Sequence, residues 1–165
     1  MEDVIVRHIE NCDIPGVRDI YKGESAVAGT LMVPHPSLSD WEKRLSNPPA
    51  GVYILVAEKQ GEIVGHGALM HQQNPRRHHV GAFMMAVKDE HQGLGIGGQL
   101  LEEILNLADN WLNLRRVEMN VFTDNEPAIH LYKKCGFVVE GESPDYAFRN
   151  GEYMGVYHMG RIKQL

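Results

Sequence analysis

The chain has 165 residues, 43% of them hydrophobic and 23% charged, with a formal net charge of −6. That is long enough for one domain with a real core, and the balance of apolar and charged residues excludes a disordered chain. Net acidity argues against a general nucleic-acid binder, which needs a basic face, but a local cradle of amides can still hold a small anion. No run approaches the length of a membrane span, the first residues lack a signal peptide's regions, and Cys12 and Cys135 match no metal or redox spacing. A cytoplasmic protein with reduced thiols, no nucleic-acid or membrane partner and one domain over residues 1–165 is expected.

Residues 4–8 read as a first strand. Asp13-Ile14-Pro15 opens a helix to about residue 22, with Asp13 as N-cap and the proline in the first turn. Residues 23–36 read as irregular, since Pro34-His35-Pro36 forbids regular structure at their end. Ser37-Leu38-Ser39-Asp40-Trp41 begins a second helix, which Asn47-Pro48-Pro49 stops. Strands follow at residues 52–58, 62–71 and 80–87, and the turn signals Gln60-Gly61 and Gln73-Asn74-Pro75 predict an antiparallel meander.

A long helix over residues 96–112 carries Leu100, Leu101, Ile104, Leu105, Ala108 and Trp111 on one face. Residues 116–122 form a strand expected parallel to the 80–87 strand, because a helix intervenes. Asp124 or Asn125 caps a helix over residues 126–134 that ends at Gly136. Residues 137–140 and 152–159 are the last strands, bracketing a loop with Arg149-Asn150-Gly151 near its end. The order βααβββαβαββ predicts an α+β fold with one mixed sheet and helices on both faces. Exposed edges at residues 52–58 and 152–159 would allow a homodimer.

The stretch from Val87 to Gly98 is the most informative about function. It runs from an apolar strand through a polar loop and a glycine cluster into the long helix, the form of a phosphate or pyrophosphate cradle. Gly93, Gly95 and Gly98 satisfy the dinucleotide fingerprint G-x-G-x-x-G, with Glu118 twenty residues on. Two features count against that fold: five polar residues separate strand from glycines, and Glu118 lies inside its strand. A Walker loop is excluded because no Gly-Lys-Ser/Thr follows.

Gln92-Gly93-Leu94-Gly95-Ile96-Gly97 resembles the Arg/Gln-x-x-Gly-x-Gly/Ala signature of the GCN5-related N-acetyltransferases. Asn125, Ala128, Tyr132, Lys133, Gly136 and Phe137 reproduce that family's downstream pattern at the right distance. The resemblance spans essentially the whole chain. It is closer still to the YhhY-like bacterial L-amino-acid N-acetyltransferases at Val33-Pro34-His35-Pro36, Pro75-Arg76-Arg77, Asp109-Asn110-Trp111-Leu112 and Arg149-Asn150-Gly151-Glu152-Tyr153. It implies a three-layer domain around a mostly antiparallel sheet of about seven strands.

The implied reaction is acetyl transfer from acetyl-CoA to a small-molecule primary amine, with no metal. The cofactor would lie on the backbone of Gly93, Leu94, Gly95, Ile96, Gly97 and Gly98, with Gln92 adding a donor. The backbone of Met85, Ala86 and Val87 would pair with the pantetheine arm where the two central strands splay, and an N–H near Val87 would stabilise the oxyanion. Ala128 and Lys133 join the cofactor set from the second motif. Tyr132 is the expected general acid; Asn125 is a helix cap or a cofactor contact.

The strand before the cradle carries no acid, so Glu118, His35 or a water chain is left as the base. Leu31 and Val33 offer apolar acceptor surface beside His35, and Arg76, Arg77 or Arg149 could hold a substrate carboxylate. A free L-amino acid with an apolar side chain is the expected acceptor. A polyamine, an antibiotic amine, a protein N-terminus or a non-catalytic acyl-CoA sensor are the alternatives. The nine histidines form no metal-ligand spacing.

Overall fold

Among the described residues there are seven strands: β1 (Val4–His8), β2 (Val52–Lys59), β3 (Glu62–His71), β4 (Val80–Val87), β5 (Arg116–Phe122), β6 (Val138–Arg149) and β7 (Glu152–Ile162), with β2 and β3 apolar on both faces and β6 largely exposed. The computed structural model describes residues 3–164; the reading of the chain start drew on Met1 and Glu2, which lie outside them. The strands form one sheet in the order β1-β2-β3-β4-β5-β7-β6. Every neighbouring pair is antiparallel except β4 and β5. Among the described residues, no helix is long and apolar enough to cross a membrane.

Among the described residues five α-helices cover the sheet: α1 (Ile14–Ile20), α2 (Glu24–Ala28), α3 (Leu38–Leu45), α4 (Ile96–Asn106) and α5 (Glu126–Lys134). On one face Leu55, Leu69, Phe83, Val117 and Met119 meet Leu100, Leu101 and Ile104 of α4 and Tyr132 of α5. On the other, Ile54, Val56, Ala68 and Ala86 meet Val17 and Ile20 of α1 and Trp41 and Leu45 of α3. Successive residues of a strand serve opposite layers, as the pleat requires. Gly67 lets α4 lie close: a Cβ there would stand 2.9 Å from Ile104 Cδ1.

The two parallel strands stay together only briefly. Their register covers Val80↔Arg116, Gly81↔Val117 and Ala82↔Glu118, then stops. Beyond it β4 remains paired to β3 and β5 to β7, so their facing edges part and keep unpaired backbone groups.

Several expectations need correction. The segment read as irregular contains α2, whose N-cap is Gly23 with no side-chain cap of its own. Asp13 is the N-cap residue of α1 as expected, but its side chain makes no cap bond to the helix; its carboxylate accepts instead from Glu10 N–H at 2.7 Å and from Arg7 at 2.7 and 2.9 Å. Trp111 is 76% exposed rather than buried, because residues Leu107–Trp111 form a π-turn closed by Leu112 N–H to Leu107 C=O at 2.9 Å. The extra residue per turn rotates the tryptophan off the apolar stripe.

The last loop is itself strand: β6 runs to Arg149, with register shifts where residues 140 and 144–146 bulge from the ladder. Neither proposed sheet edge is one. β2 lies between β1 and β3, and β7 between β5 and β6, so β1 and β6 are the edges.

Candidate active site

Strand β4 ends at Val87, and a short 3-10 turn (Asp89–His91) leads to the glycines. Gly93 and Gly95 adopt φ of 75° and 80°, a left-handed backbone, with open space where a Cβ would stand. Conformation rather than crowding therefore demands glycine at both. Gly95 is the N-cap of α4 and brings no side chain to close it. Among the described residues no hydrogen bond uses the N–H groups of residues 93–98; the first intrahelical bond runs from Gln99 N–H to Gly95 C=O at 3.1 Å. Free N–H groups at the positive end of a helix dipole favour an anion. Gln92 turns its amide inward, donating to the Val87 carbonyl at 3.2 Å and bracing the loop.

The cradle and the parted strands open into one cleft of about 1360 Å³. From the expected cofactor set, Met85, Ala86, Val87, Gln92, Gly93, Gly95, Ile96, Gly97, Gly98, Asn125, Ala128 and Tyr132 line it. Leu94 and Lys133 do not, and Lys134 takes the place of its neighbour. From the acceptor set only Leu31 and Arg149 line it. Val33 and His35 border a separate hollow of about 140 Å³ beside Trp41 and Arg44. Arg76 is exposed outside both.

Tyr132 is 6% exposed, edge-on to Phe83 at 5.6 Å and to Phe137 at 6.1 Å. Burial pushes its phenol up to about 12, so it stays a proton donor at any working pH. Asn125 is a helix cap: its Oδ1 accepts from Ala128 N–H at 3.4 Å.

Glu118 accepts from Arg77 at 2.6 Å and from Arg116 at 2.9 Å. Partial burial pushes its carboxyl up, but the bonds from Arg116 and Arg77 outweigh that and hold it below the usual carboxylate range. A carboxylate so stabilised is a weak base. Arg149 is likewise engaged, donating to Ala28 C=O at 3.1 Å, pairing with Asp124 and lying over the Phe122 ring at 5.0 Å.

Sequence reasoning missed two groups. Asp89, just before the glycines, accepts from Ser25 N–H at 3.1 Å and Ala26 N–H at 3.2 Å, and so caps α2 from a segment more than sixty residues away in the chain. Arg116, Asn120, Tyr146 and His158 line the same cleft from β5, β6 and β7. No local pattern marks these residues, because strand pairing alone brings them together. All carboxylates lining the cleft, Glu118, Asp124 and Glu140, are paired with arginine.

Comparison with known proteins adds to this geometry. Residues 15–137 match the model of the acetyltransferase (GNAT) family. The chain is 42% identical over 163 residues to the L-amino acid N-acetyltransferase AaaT of Escherichia coli (strain K12), covering 99% of this chain and 100% of that one. It is 26% identical over 157 residues to a spermidine N(1)-acetyltransferase of Vibrio cholerae serotype O1, covering 93% and 90%. The solved structure of a GCN5-related N-acetyltransferase from Kribbella flavida superposes with a TM-score of 0.84 over 97% of this chain and 98% of that one. At 21% identity, that last likeness is one of fold.

Proposed function

The chain belongs to the acetyltransferase (GNAT) family, and from that premise we propose that it moves an acetyl group from acetyl-CoA to the α-amine of a free L-amino acid with an apolar side chain, such as methionine or phenylalanine. The carrying observation is the near full-length likeness to an L-amino acid N-acetyltransferase, joined here to an open cleft floored by Met70, Ala82 and Met84.

The residues present suit acetyl-CoA, which supplies an activated thioester. The N–H groups of residues 93–98 receive its pyrophosphate, and the parted edge of β4 offers backbone partners to an extended amide-bearing arm. An N–H near Val87 polarises the thioester carbonyl and holds the oxyanion of the tetrahedral intermediate. Tyr132, kept protonated by burial, delivers a proton to the departing sulfur.

Arg149, the one member of the expected arginine set on the cleft wall, receives the acceptor carboxylate while keeping Asp124. Glu118 contributes by holding Arg77 and Arg116 in place rather than by taking a proton. A polyamine acceptor fits less well, since a polycation needs carboxylates that are not already matched with arginine.

A thiol-release screen with acetyl-CoA against the twenty amino acids, several polyamines and short peptides tests the reading. Turnover confined to free L-amino acids supports it. Preference for spermidine, or binding of acetyl-CoA without CoA release for any amine, would sink it. Equal turnover of an amino-acid methyl ester and the free acid would remove the role of Arg149.

A further inference from the structure

Six of the eight methionines in the chain line the cleft: Met32, Met70, Met84, Met85, Met119 and Met159. Three of them serve the core. Met119 and Met159 are buried in the layer of α4 and α5, and Met85 packs against it. The other three belong to the opposite face of the sheet and are half-buried. Met84 is two residues from Ala82 on β4, so both side chains share one face, and Met70 of β3 lies directly opposite Ala82. Met32 joins them from the segment between α2 and α3.

Met32 is fixed by its backbone more firmly than by its side chain. Its N–H donates to the Thr30 hydroxyl at 3.3 Å, and that hydroxyl donates to Ala26 C=O at 2.8 Å. The thioether Sδ accepts from Arg44 Nη1 at 3.3 Å, and sulfur of this kind is a weak acceptor. Arg44 itself lies over the Trp41 ring at 5.0 Å. Met32 also borders the hollow of about 140 Å³ beside Trp41 and Arg44, so its side chain is a wall shared by two cavities. A hollow of that size holds roughly one benzene ring. An unbranched chain with several rotatable bonds can turn aside and join the two.

The carboxylate clamp proposed above decides where the rest of the acceptor lies. Arg149 donates to the C=O of Ala28, the last residue of α2, four residues before Met32. A carboxylate held there leaves the acceptor side chain beside Met32 and over Met70 and Met84. A pocket of stiff, branched residues separates acceptors by about 10- to 200-fold per methylene, whereas thioether chains re-pack around each shape.

We propose that Met32, Met70 and Met84 form a yielding wall that sets the acceptor range. It admits apolar side chains of unlike shape, and Met32 is the partition that opens the second hollow to the largest of them. The proposal rests on the amino-acid reading above.

The test measures kcat/KM for L-leucine, L-methionine, L-phenylalanine and L-tryptophan at saturating acetyl-CoA. The native enzyme should keep the four within about tenfold of one another. Met70→Ile, similar in volume but stiff at its first torsion, should spread them to about 10²-fold. Met32→Ala should merge the cavities and raise L-tryptophan roughly tenfold relative to L-leucine, while Met32→Leu, which keeps the partition, should hold that ratio near native. Ratios within one preparation do not depend on how much of it is folded. The KM for acetyl-CoA should stay native throughout, since the glycine cradle lies elsewhere. The proposal is overturned if the native enzyme spreads the four by more than about tenfold, if Met70→Ile and Met32→Ala leave the ranking unmoved, or if Met32→Ala depresses every acceptor alike. Absence of turnover with every free amino acid fails the amino-acid reading and takes the wall with it. Turnover with an unmoved ranking fails the wall alone.

Discussion

The two ends of the cleft are built by different means. The end proposed for the cofactor is assembled from short contiguous stretches: the glycines over residues 93–98 and the helix start at Asn125, each completed by its own neighbours. The end proposed for the acceptor is assembled from residues far apart in the chain. There α2 is capped by Asp89, Arg149 spans from β6 to Ala28 and Asp124, and the His158 array joins three strands. A backbone grip on a phosphate needs only a turn and a helix, whereas recognition of a particular amine needs side chains converging from several elements.

The sharpest probe of that division is Tyr132→Phe. Loss of the hydroxyl should reduce kcat about 10³-fold while leaving KM for acetyl-CoA close to native, because the ring still packs against Phe83 and Phe137. Unchanged kcat across the pH range would remove the tyrosine from the chemistry.

Next in size is a pH dependence of stability in the layer of α1 and α3, away from both ends of the cleft. His66 is buried against Tyr21 and Trp41, and burial lowers its pKa to about 4. The folded value lies below the unfolded one, so the unfolded chain binds the extra proton in between. Stability is whole above the ordinary histidine value and is lost as pH falls through the window toward 4, by on the order of 3 kcal/mol. Urea midpoints at neutral and acid pH should show the loss, and His66→Gln should flatten it.

Gly95→Val probes the cofactor end alone. Forcing a branched residue into the left-handed region costs about 2 kcal/mol, and acetyl-CoA affinity by calorimetry should fall roughly tenfold or more. The acceptor KM at saturating acetyl-CoA should hold. The smallest effect is the one that would blur the division. Asp89 belongs to the cofactor loop by sequence but serves an acceptor-side helix, so Asp89→Ala should cost ~1 kcal/mol of capping and raise the acceptor KM more than the acetyl-CoA KM. Asp89→Asn should recover most of it.

The same contrast governs what could be read before folding. The glycine turn into the long helix and the cap at Asn125 were legible because spacing and turn chemistry are local. The short helix at Glu24–Ala28 was not, since its capping group comes from Asp89. Trp111 was placed on the wrong face because a π-turn leaves the apolar period unchanged until its last residue. The length of β6 was hidden by Pro144 and the polar residues around it, which read as loop and prove to be bulges in a hairpin. Glu118 was identifiable as an acid on the right strand, but its arginine partners were not, and they decide how basic it is.

The parting of β4 and β5 has a consequence for the lifetime of the protein. A sheet interrupted at its centre lacks one strand's worth of backbone pairing, and a molecule that fills the gap binds the folded chain and not the unfolded one. By mass action the folded population then grows with the concentration of that molecule. Resistance to proteolysis should therefore follow the supply of acetyl-CoA, so that abundance, and not only turnover, reports on how much activated acetate is at hand.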